Sequence, residues 1–447
     1  MLLRRILFRR GLIIPKRQLS NVNVPFEDDL TGFEDDSLAD FQLYKGPPTT
    51  QEQQQPTEPI IQPSPILPEE PKSPIQTLSD VAKLKSPVIF TSKLTNPYLN
   101  LAVEDYIYNA MPKPESSKDN AYDRLMFYIN SPCVVIGKNQ NPWQEVNLPV
   151  LNSLGVPLLR RRSGGGTVVH DLGNVNYSYM TTKANFDRFK FVNYVVNAVN
   201  QADPLFKIET NERGDIISEK LLGLNYKISG SAYKLSKGKS YHHGTMLLNS
   251  KLDVLGRLLH RDESKLGVVD SKTSIPSVKS KVINLEMESD KFINVVCDEF
   301  KKIYGPAEED QDVHEFNEMF GLSDFAATSP VTMFTVDETT DLPEEILQTA
   351  EELKQWSWKF GSTPKFTHLL ANTKRNFSVL FNVENGELTS FELTFTGEMN
   401  PEIIQSFQYL ETYIKDNRLE YTGSNVAGYI LDDEISDWIG ESIDGTI

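Results

Sequence analysis

Apolar residues recur with a clear period from Val88 onward, and two periods alternate, each marking a kind of element. Short apolar runs at 88–90, 125–129, 133–136, 156–160, 167–170, 175–180 and 241–248 predict strands, with shorter candidates at 207–209, 215–218 and 227–229. Asn130-Ser131-Pro132, between two of these runs, predicts a hairpin. Spacings of three and four predict helices. Leu99, Val103, Tyr106, Ile107 and Ala110 share one face after Asn96-Pro97, where proline is tolerated in a first turn. Phe189, Val192, Val195, Val196 and Val199 share another, and Phe292, Val295, Val296, Phe300 and Ile303 a third over 290–304. A further helix runs from Pro343 through Trp356. Residues 377–383 and 388–395 flank Asn385-Gly386, the signal of a hairpin with a primed turn. Two helices finish the chain, and no internal repeat is found.

The part before Val88 reads differently. Residues 1–20 hold Arg4, Arg5, Arg9, Arg10, Lys16 and Arg17 among leucines and isoleucines, with no acid. That is the character of a mitochondrial transit peptide, with the matrix as destination. Residues 21–85 combine an acidic patch (Glu27 to Asp36) with nine prolines between Pro47 and Pro74. Such a segment buries too little apolar surface to offset its ordering entropy, so it predicts a disordered linker. A length of 447 residues leaves room for two or three domains. A net charge of -17 argues against a general nucleic-acid partner, and no apolar run reaches the length of a membrane span. Cys133 and Cys297 sit in apolar runs, cannot build a metal cluster, and predict buried reduced thiols.

The chemistry concentrates at Arg160-Arg161-Arg162-Ser163-Gly164-Gly165-Gly166-Thr167-Val168-Val169-His170-Asp171. Three cations run into three glycines between two strand-like segments. Consecutive glycines let backbone N–H groups turn towards a ligand at close range. Arginine beside them suits a carboxylate or phosphate, whose two oxygens match its fork.

This stretch, continued to Asn174, closely resembles the signature of the lipoate–protein ligase A family. Further matching segments follow in order: 141–145, Lys227-Ile228-Ser229-Gly230-Ser231-Ala232-Tyr233, His242-His243-Gly244-Thr245-Met246-Leu247-Leu248, 280–285, 358–361 and 366–370. The resemblance spans roughly residues 90–440. It implies an α/β (α+β) catalytic domain with a mixed sheet, of the biotin–lipoate ligase and class II synthetase type, and a small α+β C-terminal domain. The division expected is transit peptide 1–20, linker 21–85, catalytic domain 86–305, connecting segment 306–342 and accessory domain 343–447.

The reaction implied has two steps, with ATP, Mg²⁺ and lipoate. A carboxylate attacks the α-phosphate and gives an acyl-adenylate. A lysine of a lipoyl domain then takes the acyl group. Expected acceptors are the acyltransferase subunits of 2-oxo acid dehydrogenases and the glycine cleavage H protein. Lys227 matches the family's essential lysine, a point charge that can touch both carboxylate and phosphate. Arg161 matches its nucleotide-contacting arginine, and Gly166, Thr167, Val168 and Val169 the loop whose backbone holds the nucleotide. Gly164 and Gly165 give the acyl and phosphate oxygens close approach. Asp215 is placed facing the adenylate and Mg²⁺. Gly214 stands where the bacterial pattern has asparagine, which removes one amide contact. That departure keeps open a lipoyl- or octanoyl-transferase that draws on an acyl carrier protein or acyl-coenzyme A without adenylation. A non-catalytic binder of lipoyl domains is the rival from another class. His170, His242 and His243 read as pocket-shaping or structural, because an adenylate is already activated. Trp143, Tyr233, Trp356 and Trp358 read as core or interface aromatics.

Overall fold

The computed structural model describes residues 76–113, 122–218, 224–304 and 331–446. The expected transit peptide, most of the linker and most of the connecting segment lie outside them.

A six-stranded mixed sheet forms the centre. Its order is Ser231–Ser236 (β10), Lys239–Leu247 (β11), Asn174–Thr182 (β6), Arg124–Tyr128 (β2), Val88–Ser92 (β1) and Thr332–Val336 (β13). β1 runs parallel to both its neighbours and the remaining pairs are antiparallel. Both faces are covered, so β2 and β6 are buried along their whole length. One face holds Lys190–Gln201 and Ser289–Tyr304, packed through Phe191, Val195, Phe292 and Phe300. The other face holds the helix Pro97–Ala110, whose N-terminus is capped by the Asn96 side chain accepting from the amides of Tyr98 and Leu99.

Two small three-stranded sheets frame the site. Leu158–Arg160 (β4), Cys133–Ile136 (β3) and Val168–His170 (β5) form one, in that order. Ile208–Thr210 (β7), Ile216–Ser218 (β8) and Lys227–Ser229 (β9) form the other. The first corrects an expectation: β2 and β3 are not a hairpin. Asn130 is fully buried and turns its side chain inward, and the Ser131 amide donates to Thr95 O, so the chain steps from the large sheet to the small one.

The domain limits also shift. Leu78–Ala82 is a helix, not the tail of a linker. Its Leu78, Val81 and Ala82 are buried against the large sheet. Arg124 below it donates to the carbonyls of Ala82, Leu84 and Ser86. The segment expected only to connect supplies β13, paired in register with β1. Glu344–Lys354, expected to begin the C-terminal domain, buries Ile346, Ala350 and Leu353 in the same apolar cluster as the helix Pro97–Ala110. The C-terminal sheet orders Val268–Asp270 (β12), Phe366–Asn372 (β14), Phe377–Glu384 (β15) and Glu387–Phe395 (β16), so one of its strands comes from the expected catalytic domain. The primed turn is present, with Asn385 and Gly386 at φ 53° and 73°. Trp143 is buried at the junction against Phe360, Phe366 and Tyr421.

Candidate active site

A cavity of about 400 Å³ lies between the helix-side face of the large sheet and the small sheet of β3, β4 and β5. Lys227, Asp215, Arg161, Gly165, Gly166, Thr167 and Val168 all line it, so segments far apart in sequence meet there. Gly164 and Val169 do not line it. Successive strand residues face opposite ways, and Val169 packs into the core shared with the C-terminal sheet.

Lys227 opens β9, and its backbone is held by Lys281 and Ile283 in the 280–285 segment. Its Nζ is 3.1 Å from Asp215 Oδ2, and both side chains are partly exposed to the cavity. Asp215 is fixed in turn: its amide donates to Asn211 Oδ1, and its Oδ1 accepts from the Ser231 amide. The pair therefore sits at one rim of the cavity, on a turn and a strand locked to the large sheet.

Arg161 lines the cavity and also braces its glycine loop. It is 5% exposed, and its guanidinium donates to Val135 O, Gly164 O, Gly166 O and Ser163 Oγ. Its fork holds the glycine loop in shape. Burial pushes it down to about 10. Gly165 has φ 89°, and a Cβ there would meet Arg161 Nη2 at 2.9 Å and Ala232 Cβ at 3.0 Å. Only glycine fits that closed turn.

Arg160 is fully buried and donates to the carbonyls of Lys138, Gln140, Trp358 and Lys359 and to Thr363 Oγ1. It fastens the loop after β3 to the C-terminal part. Arg162 pairs with Asp105 and Glu352. The arginine triplet is thus divided among three tasks that a run of like residues does not disclose.

The histidines separate as well. β11 turns His243 towards the cavity, where it bonds Ser163 Oγ at 2.8 Å and Glu104 Oε1 at 3.1 Å. His242, on the opposite face, bonds Ser231 Oγ, and burial pushes it down to about 3. His170 lines the cavity and is likewise pushed down to about 3 by burial and by the nearby Arg161 charge. Both cysteines are buried and free, with their thiols raised by burial.

Sequence reading missed several lining residues: Tyr128, Asn176, Arg188, Arg213 and the stretch Ile275 to Val278. Ser277 Oγ accepts from the Thr167 amide at 2.9 Å and from Gln140 Nε2, so this stretch lies over the glycine loop. It belongs to no periodic run, so no local pattern singled it out. Arg188 and Arg213 are exposed at the rim, and no ion pair to either is found among the described residues. The cavity wall carries four cations (Arg161, Arg188, Arg213, Lys227) against one carboxylate, Asp215. In an acidic protein this is a local excess of positive charge. Among the described residues no helix is long and apolar enough to cross a membrane, and no group of three potential metal ligands occurs.

Mixed sheets, a braced glycine loop and a cationic rim enclose a partly apolar cavity. A family model described as the lipoyl protein ligase A/B catalytic domain matches residues 96–303. A Schizosaccharomyces pombe protein that goes under the name of lipoate-protein ligase A is 34% identical over 330 residues, which cover 71% of this chain and 83% of that one. A Saccharomyces cerevisiae protein under the same name is 39% identical over 292 residues, and there the chain spans 64% of the relative's length and 65% of its own. A human protein named lipoyl amidotransferase LIPT1, mitochondrial, is 34% identical over 314 residues, covering 69% of this chain and 73% of that one. The chain belongs to the lipoate–protein ligase family.

Proposed function

We propose that this protein activates lipoate with ATP and transfers the lipoyl group to a lysine of a lipoyl domain. The observation that carries the reading is Lys227 Nζ, held 3.1 Å from Asp215 at the rim of a cavity walled by the glycine loop. In the first step a carboxylate oxygen attacks the α-phosphorus and pyrophosphate leaves. Two anions must meet, so the work of the site is positioning and charge stabilisation. Lys227 is the mobile cation between carboxylate and α-phosphate, and Asp215 holds it when neither is bound. Arg188 and Arg213 stand where the departing phosphates emerge. Asp215 is the one carboxylate among the described lining residues, which fits a Mg²⁺ held mainly by substrate phosphates. Such an ion would supply charge neutralisation. In the second step the acceptor amine attacks the acyl carbonyl, AMP leaves, and one proton is lost. The acceptors would be lipoyl domains of 2-oxo acid dehydrogenase complexes and the glycine cleavage H protein. The basic, acid-free residues 1–20 and the mitochondrial name of the human relative support a mitochondrial location.

A second reading omits adenylation and takes the lipoyl or octanoyl group from an activated donor. The name of the human relative favours it. Lipoate-dependent ATP–pyrophosphate exchange decides between them. On the ligase reading the full chain exchanges and Lys227→Ala does not, while both fold alike. Exchange in both would mean the wrong lysine. Exchange in neither, with acyl transfer from acyl-coenzyme A or a lipoyl donor, would establish the transferase.

A further inference from the structure

The large sheet measures the cavity. Lys227 and Asp215 adjoin Ser231 at the start of β10, and from there the cavity wall crosses β11 at Gly244 and Thr245, β6 at Asn176 and β2 at Tyr128. Three strand spacings separate the two ends, about 14 Å. The charged rim is at one end. At the other end Leu101, Tyr128 and Val135 stand with His170, which follows Val168 on β5. A medium-chain acid with its carboxylate at Lys227 would direct its tail towards His170.

That end is not merely apolar. His170 is 3% exposed and terminates a buried hydrogen-bond chain. Asn100 Nδ2 has two hydrogens and donates one to the Leu94 carbonyl at 2.8 Å, which fixes its amide orientation. Its Oδ1 therefore accepts from Ser92 Oγ, and its Nδ2 also donates to Asn130 Oδ1 at 2.9 Å. Asn130 must then present its own Nδ2 to His170 Nδ1, at 2.9 Å. His170 Nδ1 accepts, and the one proton of the neutral ring is left on Nε2. Asn100 and Asn130 are fully buried, so water does not compete with this order. No protein group among the described residues bonds His170 Nε2. His368 offers the contrast. It is also buried, but it bonds Tyr421 Oη through Nδ1 and Leu266 O through Nε2, as a core histidine should. His243 has partners at both nitrogens.

We infer that His170 is a fixed N–H donor at the tail end of the acyl cavity, and that it selects an acyl chain ending in acceptor atoms, such as the sulfurs of a dithiolane, over a plain alkyl chain of equal length. The inference rests on the acyl-acid reading of the site. Its physical basis is the cost of leaving a buried donor unpaired: an alkyl tail dehydrates Nε2–H and offers nothing back, whereas a sulfur accepts, if weakly. Asn130 is a positioning residue in this scheme, because it acts only by fixing the tautomer. Burial holds the ring near a pKa of about 3, so the donor stays neutral across the working range.

Equilibrium binding of lipoate and octanoate to the full chain tests this, with His170→Leu beside it. Lipoate should bind the parent more tightly than octanoate. The substitution should weaken lipoate about fivefold and leave octanoate within about twofold or improve it. A second measurement needs no variant: in histidine-labelled protein, the Nε2-bound proton of His170 should shift with lipoate and stay with octanoate. Equal weakening of both ligands in the variant, or a protonated Nδ1 in the spectrum, would overturn the inference while leaving the acyl-acid reading intact. Binding of neither acid by the folded parent would remove that reading, and the inference with it.

Discussion

Gly214 has φ 80°, and a Cβ placed there would lie 2.7 Å from Tyr233 Oη. In sequence it is a departure that subtracts a ligand contact. In the folded protein it is what lets the turn from Asn211 to Asp215 close beneath Tyr233 while Ser231 Oγ donates to its carbonyl. Restoring the expected side chain should therefore harm the protein. Gly214→Asn is expected to lose about 1–3 kcal/mol of stability in urea unfolding without tightening ATP binding. Adding Tyr233→Phe should recover part of that loss, since it removes the atom in the way. A gain in nucleotide affinity from Gly214→Asn alone would restore the view that Gly214 is a missing contact. Arg161 likewise serves the fold, since four loop and strand groups accept from its donors.

At the scale of elements, the helix Leu78–Ala82 is the first element among the described residues. A Thr77–Asp80 capping box starts it, and Arg124 gathers the carbonyls that follow it. A chain that starts at residue 86 loses the Leu78 and Val81 side chains from the cluster, and Arg124, wholly buried, loses two of its five carbonyl acceptors, those of Ala82 and Leu84. The cost expected is about 3–5 kcal/mol relative to a chain that starts at 76. Parallel urea titrations of the two truncations check this, and coincident midpoints would show the helix to be dispensable. Activity measurements on the shorter form would confuse lost stability with lost chemistry.

Across the whole molecule, pH acts through histidines that the fold keeps neutral. His170, His242 and His368 are each pushed down to about 3 by burial. In the unfolded chain they titrate near 6.5, so unfolding takes up protons below that pH. Their contribution to stability is complete above about 6.5 and is lost as pH falls towards 3. At pH 5 each costs about 2 kcal/mol relative to pH 7. Asp123, Asp171, Asp444 and Glu145 are raised by burial, carry the opposite sign, and offset part of this. The urea midpoint should therefore drop between pH 7 and pH 5, and a midpoint that rises would mean the carboxylates dominate. Arg160 and Trp358 tie the glycine-loop region to the C-terminal part by reciprocal hydrogen bonds, Arg160 Nε to Trp358 O and the indole N–H back to Arg160 O.

Local order determined what the sequence could disclose. Periods of two and of three to four placed β1, β2, β6, β11 and the long helices, because each needs only neighbours a few residues away. The glycine loop stood out for a similar reason, since glycines carry backbone freedom whatever surrounds them, whereas Lys227 and Asp215 were singled out by the family resemblance and both line the cavity. Tertiary structure decided the rest. Side-chain period alone does not say which sheet a strand joins, so β2 and β3 resembled a hairpin until Asn130 was seen turned inward. A run of three arginines shows no division of labour, because each guanidinium is directed by carbonyls from other segments. The tautomer of His170 depends on Ser92, Asn100 and Asn130, which are adjacent only after folding has brought a strand, a helix and a turn to one buried line.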